Sequence, residues 1–144
     1  MKLHKAAHTV YKTQYHIVWV TRYRRKILVP NLAKYLKLKL QEVRKFHPDW
    51  FIEEIGIAPD HVHLHMIIPP KYAVSDVVNT LKSVTSAEMK EQFARFLQKV
   101  YWDGQGIWSR GFFVSTVGIN EAVIRNYVRY QATQDSGQAK LDFG

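Results

Sequence analysis

Two runs of strand character, residues 50–58 and 61–69, are separated only by Pro59-Asp60, so a tight turn must set them side by side in one sheet. Ile55-Gly56-Ile57-Ala58 ends the first run, and His61-Val62-His63-Leu64-His65-Met66-Ile67-Ile68 makes up the second. Pro69-Pro70 stops it, because proline cannot donate to a central ladder. Side chains alternate across a strand, which puts His61 and His63 on one face and Val62 and Leu64 on the other. Two imidazoles aimed the same way from a rigid element suit a divalent metal. The plainer alternative is a strand whose histidines face solvent or cover a core edge. His65 adds a third imidazole on that face, either as an extra ligand or as a group that orients one.

The rest of the chain reads as strand 9–20, helix 31–46, helix 75–100, strand 107–117 and helix 120–134 around those two strands. On helix 31–46, Leu32, Leu36, Leu40, Val43 and Phe46 form the buried stripe, with Lys34, Lys37, Lys39, Arg44 and Lys45 on the wet side. The second helical stretch can break, since Phe93, Phe96, Leu97 and Val100 form a separate apolar cluster before a turn at Asp103-Gly104-Gln105-Gly106. The order is βαββαβ plus a C-terminal helix. Right-handed crossovers turn it into an α+β, ferredoxin-like or RRM-like sandwich: a four-stranded antiparallel sheet with two helices on one face. With 144 residues, 47% of them hydrophobic, the chain supports one core. The expected domain is 1–134, and 135–144, which lacks a buried pattern, is expected to be a mobile tail.

The C-terminal helix starts at Asn120 as N-cap, with Glu121 favourable at the positive helix end. Val123, Ile124, Tyr127, Val128 and Gln131 line one stripe, and Tyr127 and Gln131, four apart, sit one above the other. Brought to the histidine pair, they would form a phosphoryl-transfer centre: Tyr127 as nucleophile, metal as Lewis acid and Gln131 completing the coordination. Taken alone, a tyrosine on such a stripe simply packs.

A net charge of +9 attracts polyanions, nucleic acid first among them. Arg22-Tyr23-Arg24-Arg25-Lys26 concentrates guanidinium groups beside an aromatic ring and is the candidate nucleic-acid contact, a solvated loop being the alternative. The chain has no cysteine, hence neither a disulfide scaffold nor a cysteine zinc site. No long apolar run follows Met1, so neither a signal peptide nor a membrane span is expected. No glycine-rich phosphate-binding motif calls for a nucleotide cofactor.

Asp60-His61-Val62-His63, then Ile67-Ile68-Pro69-Pro70-Lys71-Tyr72, the segment Ile107 to Gly118, and Tyr127 with Gln131 occur in an order that resembles the single-tyrosine transposases of small bacterial and archaeal insertion sequences, in the HUH nuclease superfamily. The resemblance runs from the Tyr15-His16-Ile17-Val18-Trp19-Val20 strand to the tyrosine helix. His65 departs from it, since an aliphatic residue is usual there; the aspartate directly before His61 selects His61 and His63 as the pair. The resemblance implies a cytoplasmic, nucleoid-associated enzyme that cleaves and rejoins single-stranded DNA with hairpin ends. His61, His63 and Gln131 would hold Mg²⁺ or Mn²⁺, and attack by Tyr127 would leave a 5′-phosphotyrosine link and a free 3′-hydroxyl. It also implies a homodimer whose sites combine histidines of one subunit with the tyrosine helix of the other. Gly118 before that helix is either the natural hinge or an ordinary strand-to-helix turn, and Phe112, Phe113 and Val114 supply either the edge on which two sheets join or simply core. Two rivals are a non-enzymatic RRM-like binder of single-stranded RNA and a domesticated HUH nuclease acting on repeated palindromes.

Overall fold

The computed structural model describes residues 3–6, 9–101 and 106–143. A short hairpin of β1 (His4–Ala6) and β2 (Thr9–Tyr11) leads into β3 (Gln14–Val20). There follow α1 (Pro30–Glu42), β4 (Phe51–Ala58), β5 (His61–Ile67), α2 (Val74–Gln92), α3 (Ala94–Val100), β6 (Phe113–Ser115) and α4 (Glu121–Phe143). The four-stranded sheet has the order β4-β5-β3-β6 with every neighbouring pair antiparallel, so the histidine strand β5 is central. This is the expected α+β sandwich.

Ile17 and Trp19 of β3 and Val62, Leu64 and Met66 of β5 point to one side, where Leu32, Leu36 and Leu40 of α1 and Val77, Val78, Leu81 and Met89 of α2 cover them. Burying a large aliphatic side chain is worth about 1.5–3 kcal/mol, so this face captures both helices. The opposite face carries the imidazoles together with Val18 and Val20 of β3, which are buried as well.

Several boundaries differ from the sequence reading, each for a local reason. The expected strand 9–20 divides at Lys12-Thr13, where Thr13 turns to residue 68: its hydroxyl donates to the Ile68 carbonyl, and the Ile68 N–H donates to the Thr13 carbonyl at 3.1 Å. Helix α1 tightens after Glu42 into a 3₁₀ turn, Val43–Lys45. The change from 3.6 to about 3 residues per turn breaks the stripe, and Phe46, expected in the core, is 81% exposed. The helical stretch 75–100 does break, at Phe93, whose φ/ψ of −122°/39° ends α2. Residues 103–105 of the expected turn lie outside the described residues.

Of the expected strand 107–117, only Phe113–Ser115 joins the sheet, while Trp108 makes a single bridge to Thr21. Between them, the Lys82 ammonium takes the carbonyls of Ser109 (2.7 Å) and Gly111 (2.9 Å), and Gly111 has a φ of 82°, a left-handed angle that suits glycine. Gly118 carries no such angle. Finally, α4 does not stop at residue 134: it continues to Phe143, and Asp135, placed in the tail by its lack of an apolar pattern, is only 8% exposed.

Candidate active site

On the polar face of the sheet, ladder register decides who neighbours whom. His61 lies between Val20 and Ala58, His63 between Val18 and Gly56, and His65 between His16 and Glu54. Gly56 and Ala58 keep the β4 side low. A Cβ on Gly56 would already meet the His63 main chain at 3.7 Å, so a larger side chain there would lie against the imidazole.

The three histidines differ in what holds them. His61 Nδ1 lies 2.9 Å from Asp60 Oδ1, and the other Asp60 oxygen accepts from Arg24 Nε at 3.0 Å. A carboxylate only accepts, so the Nδ1 proton points at Asp60, and in the neutral ring this leaves the lone pair on Nε2. Burial works to raise the Asp60 carboxyl, but the His61 and Arg24 hydrogen bonds and charges outweigh it and hold the group below its usual range. His63 Nε2 is buried without a hydrogen-bond partner. Burial, helped by repulsion from His16, lowers the His63 pKa and keeps it a neutral nitrogen donor. His65, by contrast, is engaged: its Nε2 is 3.1 Å from Gln14 Oε1, and its ring stacks on His16 with centroids 4.5 Å apart.

An oriented His61 and an orphaned nitrogen on His63 are the chemistry a divalent metal needs from two ligands. Among the described residues, no three His, Cys, Asp or Glu side chains converge on one metal position. Gln131, an amide, is not one of those residue types, and it lies on α4 rather than on β5.

Packing these imidazoles together has a consequence for stability. The folded-state pKa values of His16 and His63 are lowered from 6.5, chiefly by burial, so the unfolded chain takes up protons that the folded chain resists. Their contribution is therefore complete above about pH 6.5 and is lost as the pH falls below it. The thermal midpoint of the metal-free protein is expected to drop between pH 7 and pH 5, and His16→Gln should narrow that drop. An equal drop in the variant would remove His16 from the explanation.

Helix α4 begins as its sequence requires: Asn120 Oδ1 accepts the Val123 N–H at 3.0 Å. The stripe of Val123, Ile124, Tyr127, Val128 and Gln131 faces the body, and α4 touches β3 and the 3₁₀ turn Arg22–Arg24. The Tyr127 ring packs on Phe113 at 5.7 Å, and its hydroxyl donates to Gln131 Oε1 at 3.3 Å. Burial pushes the Tyr127 phenol up to about 12, with Tyr130 and Asp135 adding to the effect. Among the described residues, no hydrogen bond or ring contact joins Tyr127 or Gln131 to His61 or His63. The structure thus assembles two half-sites: the imidazoles on β5, and Tyr127 with Gln131 on α4.

The basic segment has a structural task that its composition concealed. Tyr23 and Arg24 both have left-handed φ angles, 58° and 56°. Arg24 is paired with Asp60, while Tyr23 packs against the core with the Arg22 guanidinium 5.4 Å from its ring centroid. Tyr101 donates its hydroxyl to the Arg22 carbonyl at 2.7 Å. Within this segment, only Arg25 and Lys26 are exposed cations without such engagement. Sequence reasoning missed Asp135, Ser109 and Lys82. For Asp135 a signal existed, since the four-residue spacing from Tyr127 to Gln131 continues to it.

Residues 9–131 match the family described as "Transposase IS200 like". The transposase of insertion sequence element IS200 from Salmonella typhimurium is 33% identical over 129 residues, covering 90% of this chain and 83% of that protein. The ISDra2 transposase TnpA of Deinococcus radiodurans is 29% identical over 132 residues, covering 91% and 92%. A crystal structure described as that of a Deinococcus radiodurans R1 transposase superposes with a TM-score of 0.76 at 30% identity, covering 91% of this chain and 98% of that one. A REP-associated tyrosine transposase, solved bound to a REP hairpin, shares the fold with a TM-score of 0.53 at 16% identity over 90% of this chain and 70% of that one. A match of this extent, together with relatives aligned along most of their own length, leads to one conclusion: the chain belongs to the IS200-like transposase family.

Proposed function

We propose that this transposase cleaves and rejoins single-stranded DNA through a tyrosyl–DNA ester, with Tyr127 as nucleophile and His61, His63 and Gln131 as ligands of Mg²⁺ or Mn²⁺. The observation that carries the reading is the pair of imidazoles on one strand, His61 oriented by Asp60 and His63 with an unpartnered buried nitrogen, in a chain of this family. When bound, the metal supplies charge neutralisation at a non-bridging phosphate oxygen. The chain supplies the rest. Tyr127 Oη attacks phosphorus in line, the bond to the 3′ oxygen breaks, and the 5′ phosphate stays on the tyrosine while the 3′-hydroxyl leaves. In the reverse sense, a 3′-hydroxyl attacks the ester and releases Tyr127, so the linkage conserves the bond energy for rejoining.

The buried phenol must lose its proton for this attack, and its raised pKa disfavours that in the position it occupies beside Phe113. Delivery to another environment removes the obstacle. We place that environment in a homodimer, where α4 of one copy reaches the histidines of the other. Two features support it: among the described residues no hydrogen bond or ring contact joins Tyr127 to the imidazoles of its own chain, and the edge strand β6 has Val114 41% exposed. The RNA-binding rival would use these imidazoles only for stacking, and it leaves the Asp60–His61 pair and the unpartnered His63 nitrogen unexplained.

The experiment is to incubate the protein with Mn²⁺ and either hairpin-ended single strands or a duplex of the same sequence. A denaturant-resistant protein–DNA band is expected with the single strand and not with the duplex. Absence of any such band, with RNA bound as tightly as DNA, would return the function to a binding module.

A further inference from the structure

Asp135 is the buried charged group that the proposed chemistry leaves unused. Its carboxylate accepts from three donors: the Tyr23 N–H at 2.9 Å and the Ser109 hydroxyl on Oδ2, and Gln131 Nε2 at 3.3 Å on Oδ1. Burying a carboxylate is costly, and an apolar residue at a packed helix position is often no worse for stability, so the helix has no need of this charge to dock. What the charge does achieve is chemical. A carboxamide has one donating and one accepting end, and a carboxylate only accepts. Asp135 therefore takes the NH₂ end of Gln131, and the oxygen end must face the other way, where it meets the Tyr127 hydroxyl at 3.3 Å.

We propose that Asp135 is a positioning residue, which fixes the Gln131 carboxamide with its oxygen toward Tyr127 and ties that orientation to the body of the domain through Tyr23 and Ser109. The inference rests on the reading of Tyr127 and Gln131 as the residues that act in strand cleavage. Two consecutive left-handed residues, Tyr23 and Arg24, form the other end of the tie. Such a turn directs main-chain N–H groups at an anion. Here it presents the Tyr23 N–H to Asp135 and the Arg24 side chain to Asp60, the partner of His61. One strained turn thus registers the tyrosine helix and the first histidine against the same backbone.

The test is a cycle of Asp135→Asn, Gln131→Glu and the double variant. The substituted asparagine keeps the shape and still accepts from Tyr23 and Ser109, but turns its NH₂ toward Gln131, which must flip and present nitrogen to Tyr127. Asp135→Asn is expected to slow adduct formation at saturating hairpin DNA by about 10–100-fold, the scale for groups that orient a ligand, with DNA affinity unchanged. Gln131→Glu alone sets two carboxylates face to face and should also be slow. In the double variant the introduced amide donates to a carboxylate that has oxygen at both ends, and most of the wild-type rate should return. A folded Asp135→Asn protein at wild-type rate, or a double variant no faster than the slower single one, overturns the proposal.

A second readout needs neither metal nor turnover. In the ¹H–¹⁵N spectrum of the metal-free protein, the Gln131 side-chain amide, identified by its loss in Gln131→Glu, should exchange slowly with solvent and shift in Asp135→Asn. Exchange as fast as in an exposed glutamine overturns the proposal even where Asp135→Asn does not fold. If the wild-type protein forms no adduct, the reading of Tyr127 has failed, and this spectrum still decides the geometry.

Discussion

Tyr127→Phe is expected to bind hairpin DNA with nearly wild-type affinity and to form no covalent adduct. The substitution removes one oxygen and little else, since the ring that packs on Phe113 is retained. The lost hydrogen bond to Gln131 is worth about 1 kcal/mol at most, too little to unfold a domain whose core lies on the other face of the sheet. Removing a covalent nucleophile costs on the order of 10⁴-fold or more in rate. The two effects are thus well separated: adduct vanishes on a denaturing gel while a shift assay scarcely changes. Tyr130 lies beside Tyr127 with ring centroids 6.4 Å apart, yet is exposed and pairs with no amide, so Tyr130→Phe should retain activity. Reversal of that pattern would move the nucleophile to Tyr130.

The second large effect belongs to the imidazoles. His61→Ala and His63→Ala should each abolish the calorimetric signal of Mn²⁺ binding together with cleavage, because each removes one of only two nitrogen donors. Asp60→Ala and His65→Ala should reduce affinity by about 10–100-fold without abolishing it, as expected of groups that orient a ligand. For Asp60 the reason is the His61 tautomer, which loses its anchor at Nδ1. For His65 it is the stack on His16, which in turn lies 5.7 Å from His63. Were His65→Ala to lose metal while His61→Ala kept it, the pair would be His63 and His65.

The part of the fold legible in the sequence was the part governed by period. Alternation placed β4 and β5 around Pro59-Asp60 and separated the histidine face from Val62 and Leu64, and the 3.6-residue stripe placed Tyr127 and Gln131 together. Long-range competition for hydrogen bonds was not legible. Residues 107–112 read as strand by composition, but Lys82, distant in sequence, takes the Ser109 and Gly111 carbonyls and draws the segment off the ladder. Arg24 read as a phosphate ligand because nothing in a linear sequence shows that Asp60 stands within 3.0 Å of it. Asp135 read as tail because polar residues report no burial pattern, whereas its buried surroundings are themselves polar: two main-body donors and an amide. Phe46 failed for the opposite reason, a period that held in the sequence and changed in the backbone.

The central claim is that one particular phenol becomes esterified to DNA, and the chain has 8 tyrosines from which to choose. The most direct measurement is to trap the adduct on single-stranded hairpin DNA, digest both components and locate the modified peptide by tandem mass spectrometry. The account predicts a nucleotide linked through its 5′ phosphate to Tyr127 and to no other residue. A nucleotide found on Tyr130, Tyr23 or any other tyrosine, or linked through a 3′ phosphate, would contradict it.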